Sequence, residues 1–326
     1  VMLPEDLTRV RARMREAGID ALVLRPSPDF RYLGGRGEGF LVLTLEAGPA
    51  ETGDPAALVP AGARRVGVDP EMRVRELFGL MIDAELVPAA AVLAPMRLRK
   101  HPHELTAIER AAAAAEAVLE QARQLDWFGA TERAMALRLR RLLLESGCEE
   151  VLSLRVAAGE HTALAAHSPS ERVINPGDAL LVSLCGQWDG YCAEVGRVFA
   201  VAEPPEDFEA MYSVVQSAHH AALGRIRHGV AAAEVAATVR EVIDGSGYGR
   251  FAAEHAGRGV GLGPDEGPRL DPRAEGDLES GMTVCLEPAI YVPDLFGARI
   301  ADVVACTPSG PLLLTSGPPE LRILDR

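Results

Sequence analysis

Ala179-Leu180-Leu181-Val182-Ser183-Leu184-Cys185-Gly186-Gln187-Trp188-Asp189-Gly190-Tyr191-Cys192-Ala193-Glu194-Val195-Gly196-Arg197-Val198-Phe199-Ala200-Val201 is the stretch on which the fold turns. One apolar run, Ala179 to Cys185, and a second, Tyr191 to Val201, flank Asp189-Gly190. Asp-Gly between two apolar runs signals a hairpin, because the favoured tight turn needs positive φ at both central residues. Upstream, strand patterning begins at Val151. Two helical patterns precede it. In the first, Leu105, Ile108, Ala112, Ala115, Leu119 and Ala122 keep one face apolar. Its five alanines from Ala111 read as a high-propensity helix that packs closely. The second starts at Thr131, carries Glu132 in its first turn and stops at Gly147, a helix-ending glycine.

Downstream of the hairpin the order repeats. Helices are expected over Phe208–Arg227 and Ala231–Ile243, the latter ending at Gly245. Strand-like runs follow at Met282–Glu287, Ala298–Val304 and Leu312–Leu314. Helix, helix, strands therefore occurs twice, with no repeat at solenoid periods. The first hundred residues differ. Leu7, Val10 and Met14 make a helical stripe. Ile19–Leu24 is an apolar run that enters the turn Pro26-Ser27-Pro28, and Phe40–Leu45, Ala57–Val59 and Arg64–Val68 read as further short strands. This is the pattern of a small α/β domain with a mostly buried sheet. The polar, basic, proline-bearing segment Leu98–Glu104 reads as a boundary, dividing the chain into residues 1–98 and 99–326.

The chain of 326 residues is 48% hydrophobic and 25% charged, ordinary for a globular protein with a sizeable core. Its net charge of -14 gives a nucleic-acid partner no electrostatic support. No apolar run approaches a membrane span. Val1 to Arg15 carries charges throughout and lacks a signal-peptide core, so a cytoplasmic location is expected. Five cysteines, without a CxxC pair or zinc-ligand spacing, read as reduced thiols.

Several short motifs, in order, resemble the prolidase, aminopeptidase P and creatinase superfamily. Gly18-Ile19-Asp20-Ala21-Leu22 followed by Asp29-Phe30-Arg31-Tyr32-Leu33 is similar to its opening. Arg97-Leu98-Arg99-Lys100 with Glu104 is similar to the lead into its catalytic domain. Asn175-Pro176-Gly177-Asp178 matches the turn before its first metal strand, and Gly281-Met282 through Leu286-Glu287-Pro288 matches its glutamate-proline segment. The resemblance covers nearly the whole chain. It implies an α+β architecture: a small creatinase-N-like α/β domain, then a pita-bread domain whose curved antiparallel sheet is flanked by helices. It also implies a homodimer.

Metalloenzymes of this superfamily hold two divalent cations with two aspartates, one histidine and two glutamates, and a bridging hydroxide attacks the bond before proline. Two hard cations need several carboxylates, and they generate a nucleophile at neutral pH. Carried across residue by residue, the first aspartate falls on Ser183, the second on Glu194, the histidine on Arg258, one glutamate on Glu287 and the other on Ala301. Two carboxylates thus remain, and an arginine stands for the histidine. Asp302 adjoins the lost glutamate, but neighbours on a strand face opposite ways. Cys185 shares a face with Ser183, yet one thiol with two glutamates is a poor transition-metal site. A supporting histidine falls on Asp265 and another on Glu254, with His255 beside it, whereas His167 matches the histidine that faces the scissile group. No metal or other cofactor is therefore expected.

Three functions compete. In the first, the chain is a prolidase-like protein without its dinuclear site, and Arg258 fills the metal position by forking Glu194 and Glu287. Without a cation two facing carboxylates repel, and a guanidinium supplies one. In the second, it is a metal-free C–N hydrolase of creatinase type. There His167 shuttles a proton, Glu194 and Glu287 grip a planar cation through paired hydrogen bonds, and Arg258 swings aside toward a substrate carboxylate. Against creatine itself, Ala301 stands where creatinase has a histidine. The third is a true Xaa-Pro dipeptidase. For each, the expected ligand is a small molecule or dipeptide-like compound.

Overall fold

The structure, a computed structural model, describes residues 4–326; Val1, Met2 and Leu3, where the charged N-terminal segment starts, lie outside the described residues. The chain divides into two compact units, Val1–Leu98 and Arg99–Arg326.

The first unit runs α1 (Pro4–Glu16), β1 (Ala21–Leu24), α2 (Pro28–Tyr32), β2 (Phe40–Thr44), β3 (Ala50–Thr52), β4 (Arg65–Val68), α3 (Val74–Gly79), β5 (Glu85–Pro88) and α4 (Ala90–Arg97). Its sheet has the order β3-β2-β1-β4-β5, and β1 is parallel to β4 but antiparallel to β2. All four β1 residues are buried, as the apolar run requires. Ser27 starts α2, its side chain accepting the Phe30 N–H at 3.2 Å. The expected strand Ala57–Val59 is not formed. Pro55 opens a 3₁₀ turn over Pro55–Ala57 instead, because the proline fixes φ and removes a donor, and β3 lies earlier.

The second unit opens with α5 (Pro102–Ala122) and α6 (Glu132–Glu145). Pro102 sits at the first turn of α5, and Glu104 reaches back to the His101 N–H at 2.7 Å. Most of the alanines on α5 are buried, Ala113 and Ala117 being exposed, and the small size of the buried ones lets the helix lie close to the sheets. Ala115 and Val118 join a core with Leu139 and Leu143 of α6, while Ile108 and Ala112 join another with Ala301 and Val303. Thr131 caps α6 by accepting the Ala134 N–H, and Gly147 ends the segment at φ +98°.

Strands β6 (Glu150–Ala158), β7 (Ala179–Trp188) and β8 (Tyr191–Val201) follow, with β7 and β8 paired throughout as the quoted stretch predicts. Asp189 and Gly190 take φ of +47° and +81°, and Glu149 accepts both their N–H groups. Next come α7 (Phe208–Leu223), α8 (Ala232–Gly245), β9 (Gly257–Gly259), β10 (Glu266–Leu270), β11 (Thr283–Leu286), β12 (Ala289–Val292), β13 (Phe296–Arg299), β14 (Asp302–Thr307), β15 (Gly310–Leu313) and β16 (Arg322–Leu324). They form sheets β16-β8-β7-β6 and β10-β9-β11-β14-β15 and the hairpin β12-β13.

The single strand expected over Ala298–Val304 is two. β13 turns back on β12, and β14 begins at Asp302 beside β11. Between them Ala301 exchanges both backbone hydrogen bonds with Gly196, at 3.0 and 3.1 Å, and so joins the second sheet to β8. A Cβ on Gly196 would lie 3.0 Å from the Ala301 methyl and 3.3 Å from the Ser183 hydroxyl, a tight fit that favours glycine at the seam. Among the described residues no helix is long and apolar enough to cross a membrane. The five cysteines are free and buried.

Candidate functional site

The seam is where the polar residues collect. Ser183 and Gly196 are direct partners on β7 and β8, as are Cys185 and Glu194, so these side chains share one face. Arg258 pairs with Cys285 across β9 and β11, and Glu287 follows β11 by one residue. Arg299 ends β13. Glu194 and Glu287 are each 3% exposed.

Two guanidiniums bridge these carboxylates. Arg258 donates from Nη2 to Glu194 Oε2 and from Nη1 to Glu287 Oε1. Arg299 donates from Nη2 to Glu194 Oε1 at 2.6 Å and from Nη1 to Glu287 Oε2 at 2.9 Å. Each of the four carboxylate oxygens thus receives a guanidinium N–H. The Ser183 hydroxyl donates to Glu194 Oε1 at 2.6 Å and accepts from Arg299 Nη2 at 2.9 Å. Arg258 Nε is fixed by the Pro264 carbonyl at 2.8 Å.

The electrostatics follow. Burial pushes Glu194 upward, but the charges of Arg299 and Arg258 and the Ser183 hydrogen bond prevail and bring it down to about 2. Burial works against both guanidiniums, and the facing carboxylates, Glu194 first, outweigh it and raise them. The Cys285 thiol is pushed well up, first by burial and then by Glu287 and Glu194. It stands with Glu194 and Glu287 as one potential donor set for a metal, the donor atoms lying within 4.8 Å of one another.

A second donor set is Glu132, His161 and His167. Glu132, fully buried in the first turn of α6, takes the Ala158 N–H at 2.8 Å, the Ser170 N–H at 3.0 Å and the Ser170 hydroxyl at 2.7 Å. His161 Nδ1 lies 3.0 Å from one oxygen and His167 Nε2 2.9 Å from the other. Burial alone would raise this carboxyl. The Ser170 hydroxyl, the Ala158 N–H and His167 together lower it.

Of the residues singled out from sequence, Ser183, Glu194, Arg258 and Glu287 come together. Ala301 forms the seam beside them, and His167 is held by Glu132. Asp302 binds Arg197 at 2.6 Å, Thr315 at 2.6 Å and His219 at 3.0 Å, away from Ala301's face. Asp265 pairs with Arg269, and Glu254 and His255 are exposed. Sequence reading missed Arg299 and Glu132 as site residues. Arg299 was within reach: it precedes Ala301 by two residues, and strand alternation puts such a pair on one face. It missed Arg155 too. This β6 residue is the register partner of Ser183 and is 8% exposed.

A two-domain α+β chain with carboxylates gathered where curved antiparallel sheets meet belongs to the pita-bread class, and comparison with known proteins narrows this further. Residues 106–308 match the model of metallopeptidase family M24, and the chain belongs to that family. It is 30% identical to a probable dipeptidase, PepE, of Mycobacterium tuberculosis, over 98% of this chain and 96% of that protein. Among solved structures it is similar to a dipeptidase from Pyrococcus horikoshii (TM-score 0.90, 28% identity, 98% of this chain and 100% of that one). It is also similar to an Xaa-Pro dipeptidase from Bacillus anthracis (TM-score 0.91, 27% identity, 98% and 99%). The pita-bread fold and the prolidase kinship expected from the motifs are thereby shown.

Proposed function

We propose that this prolidase-like chain has exchanged the dinuclear metal centre of its family for a metal-free quartet, Glu194, Glu287, Arg258 and Arg299, and is a small-molecule or dipeptide-like binding protein rather than a metallopeptidase. One observation carries the reading: every oxygen of the two carboxylates is already taken by a guanidinium N–H. A divalent cation at this place would face two fixed positive charges and find no free carboxylate oxygen. The remaining candidate donor, Cys285, is held as a neutral thiol, whereas metals bind the thiolate. Ser183 and Ala301 offer no carboxylate in place of the missing ones. The donors therefore do not fit a pair of hard cations.

The chain's own residues do the following. Arg258 and Arg299 neutralise both carboxylates and fix their separation. Ser183 relays between Arg299 and Glu194. The site so held is rigid and closed to a hydroxide nucleophile of the family type, since nothing in the quartet activates water. Metal analysis of the purified protein tests this, together with cleavage of Xaa-Pro dipeptides with and without added manganese or cobalt. The expected result is substoichiometric metal and no metal-stimulated cleavage. Two bound equivalents with manganese-dependent turnover would make the chain an Xaa-Pro dipeptidase like its named relatives.

A second reading draws on the Glu132–His167 contact. A carboxylate that orients a histidine is also how proton-transfer histidines are held. A metal-free C–N hydrolase using His167, Glu194 and Glu287 predicts turnover in EDTA that disappears in His167→Ala. The arginine forks count against it, because they occupy the carboxylate pair that would grip a cationic substrate.

A further inference from the structure

Arg155, Arg258 and Arg299 gather on this side of the seam, and of these only Arg258 and Arg299 form salt bridges. Arg155 is 8% exposed, yet its Nη1 and Nη2 donate to the backbone carbonyls of Ala165 and Leu164, and its Nε has no partner. Both nearby carboxylates, Glu194 and Glu287, are already used by Arg258 and Arg299. One buried positive charge is thus left without a salt bridge of its own. Buried charges are normally paired, but Arg155 touches only neutral groups, these carbonyls and the Tyr291 hydroxyl; Glu194 attracts it, yet the cost of burial prevails.

What surrounds Arg155 is suited to an anion. It projects from the same face as Ser183. Its guanidinium lies 5.9 Å from the centre of the half-buried Tyr291 ring. Tyr291 and Gly297 are register partners on β12 and β13, two residues from the Ala289–Arg299 pair, so Tyr291 and Arg299 share a face of that hairpin. The carbonyls that now hold Arg155 belong to residues 164 and 165, which are exposed and lie in the loop before His167. A charge-assisted, forked hydrogen bond from guanidinium to carboxylate is stronger than one to a neutral carbonyl, so an incoming anion can displace them.

We propose that Arg155, with the Tyr291 hydroxyl beside it, is an anion subsite that takes the carboxylate of a small ligand, the loop carbonyls of Leu164 and Ala165 being exchanged for it. This rests on the proposed metal-free reading and supplies its missing element, the group of the ligand that is recognised. Free carboxylic acids and C-terminal carboxylates of dipeptides share this chemistry.

The test is calorimetric binding of acetate, L-proline, glycyl-L-proline and glycyl-L-prolinamide in EDTA at constant chloride, on the wild type, Arg155→Met and Arg155→Lys. Glycyl-L-proline should bind the wild type about tenfold or more tightly than its amide, a difference of about 1.4 kcal/mol. That preference should vanish in Arg155→Met and shrink in Arg155→Lys, which keeps the charge and loses the fork. Acetate or proline binding alone assigns the subsite to a bare carboxylate; a need for glycyl-L-proline assigns it to the peptide. The subsite is overturned if no carboxylate binds the wild type, if the amide binds equally well, or if the preference survives in Arg155→Met. Should Arg155→Met not fold, an undiminished preference in Arg155→Lys overturns it. Metal content is read separately: two equivalents of metal sink the metal-free reading whatever these variants show, and a preference absent from the metal-free wild type, or surviving in metal-free Arg155→Met, sinks only the subsite.

Discussion

At the scale of single residues, the quartet stands on mutual charge compensation, and removing one member exposes the others. Arg258→Met leaves two buried carboxylates sharing one guanidinium, and breaking a buried pair in this way costs about 3–5 kcal/mol. Urea unfolding of the variant should show that loss. Glu194 gives the effect a pH signature. Its folded value of about 2 lies below its ordinary 4.5, so its contribution is complete above pH 4.5 and fades as the pH falls toward 2. Acid unfolding followed by circular dichroism should show wild-type stability declining through that window, with the decline reduced in Glu194→Gln. Motif position alone made Ser183, Glu194, Arg258, Glu287 and Ala301 legible in the sequence. Arg155 was not legible, because its place opposite Ser183 depends on how β6 registers with β7, which no local pattern encodes. Glu132 reads from sequence as an ordinary first-turn acid favoured by the helix dipole, and only the fold turns it inward against two histidines.

At the scale of elements, what the sequence made plain was what short-range chemistry dictates. Asp189-Gly190 specifies its turn by φ, Thr131 and Gly147 bracket α6, and Ala179–Val201 could pair only as a hairpin. Two errors share a different origin. Ala57–Val59 is apolar enough for a strand, but Pro55 sets a 3₁₀ turn. Ala298–Val304 is strand-like in pattern, and its break at Ile300–Ala301 comes from a long-range partner, Gly196, that periodicity does not register. That seam is testable. Gly196→Ala places a methyl against Ala301 and Ser183, and overpacking of this kind costs about 1–3 kcal/mol. A lowered thermal midpoint is expected. The shift should be smaller in Gly196→Ala combined with Ala301→Gly, which returns the space.

At the scale of the whole molecule, every residue of the quartet, as well as Arg155, Ser183 and the Glu132 group, lies in the unit Arg99–Arg326. That unit has its own cores, built on α5, α6 and the β6–β8 sheet. A chain of residues 99–326 should therefore unfold cooperatively on its own and keep the acid signature of Glu194, which far-ultraviolet circular dichroism against temperature and pH would check. The expected homodimer is a separate matter, and sedimentation of the full chain decides it. The quartet also bears on how the molecule matures. On the proposed metal-free reading its positive members are joined to the backbone, and the centre should be complete the moment the polypeptide folds. That reading predicts no loading step, no delivery system and no competition among ions between synthesis and the finished site, and a site untouched by starvation for trace elements.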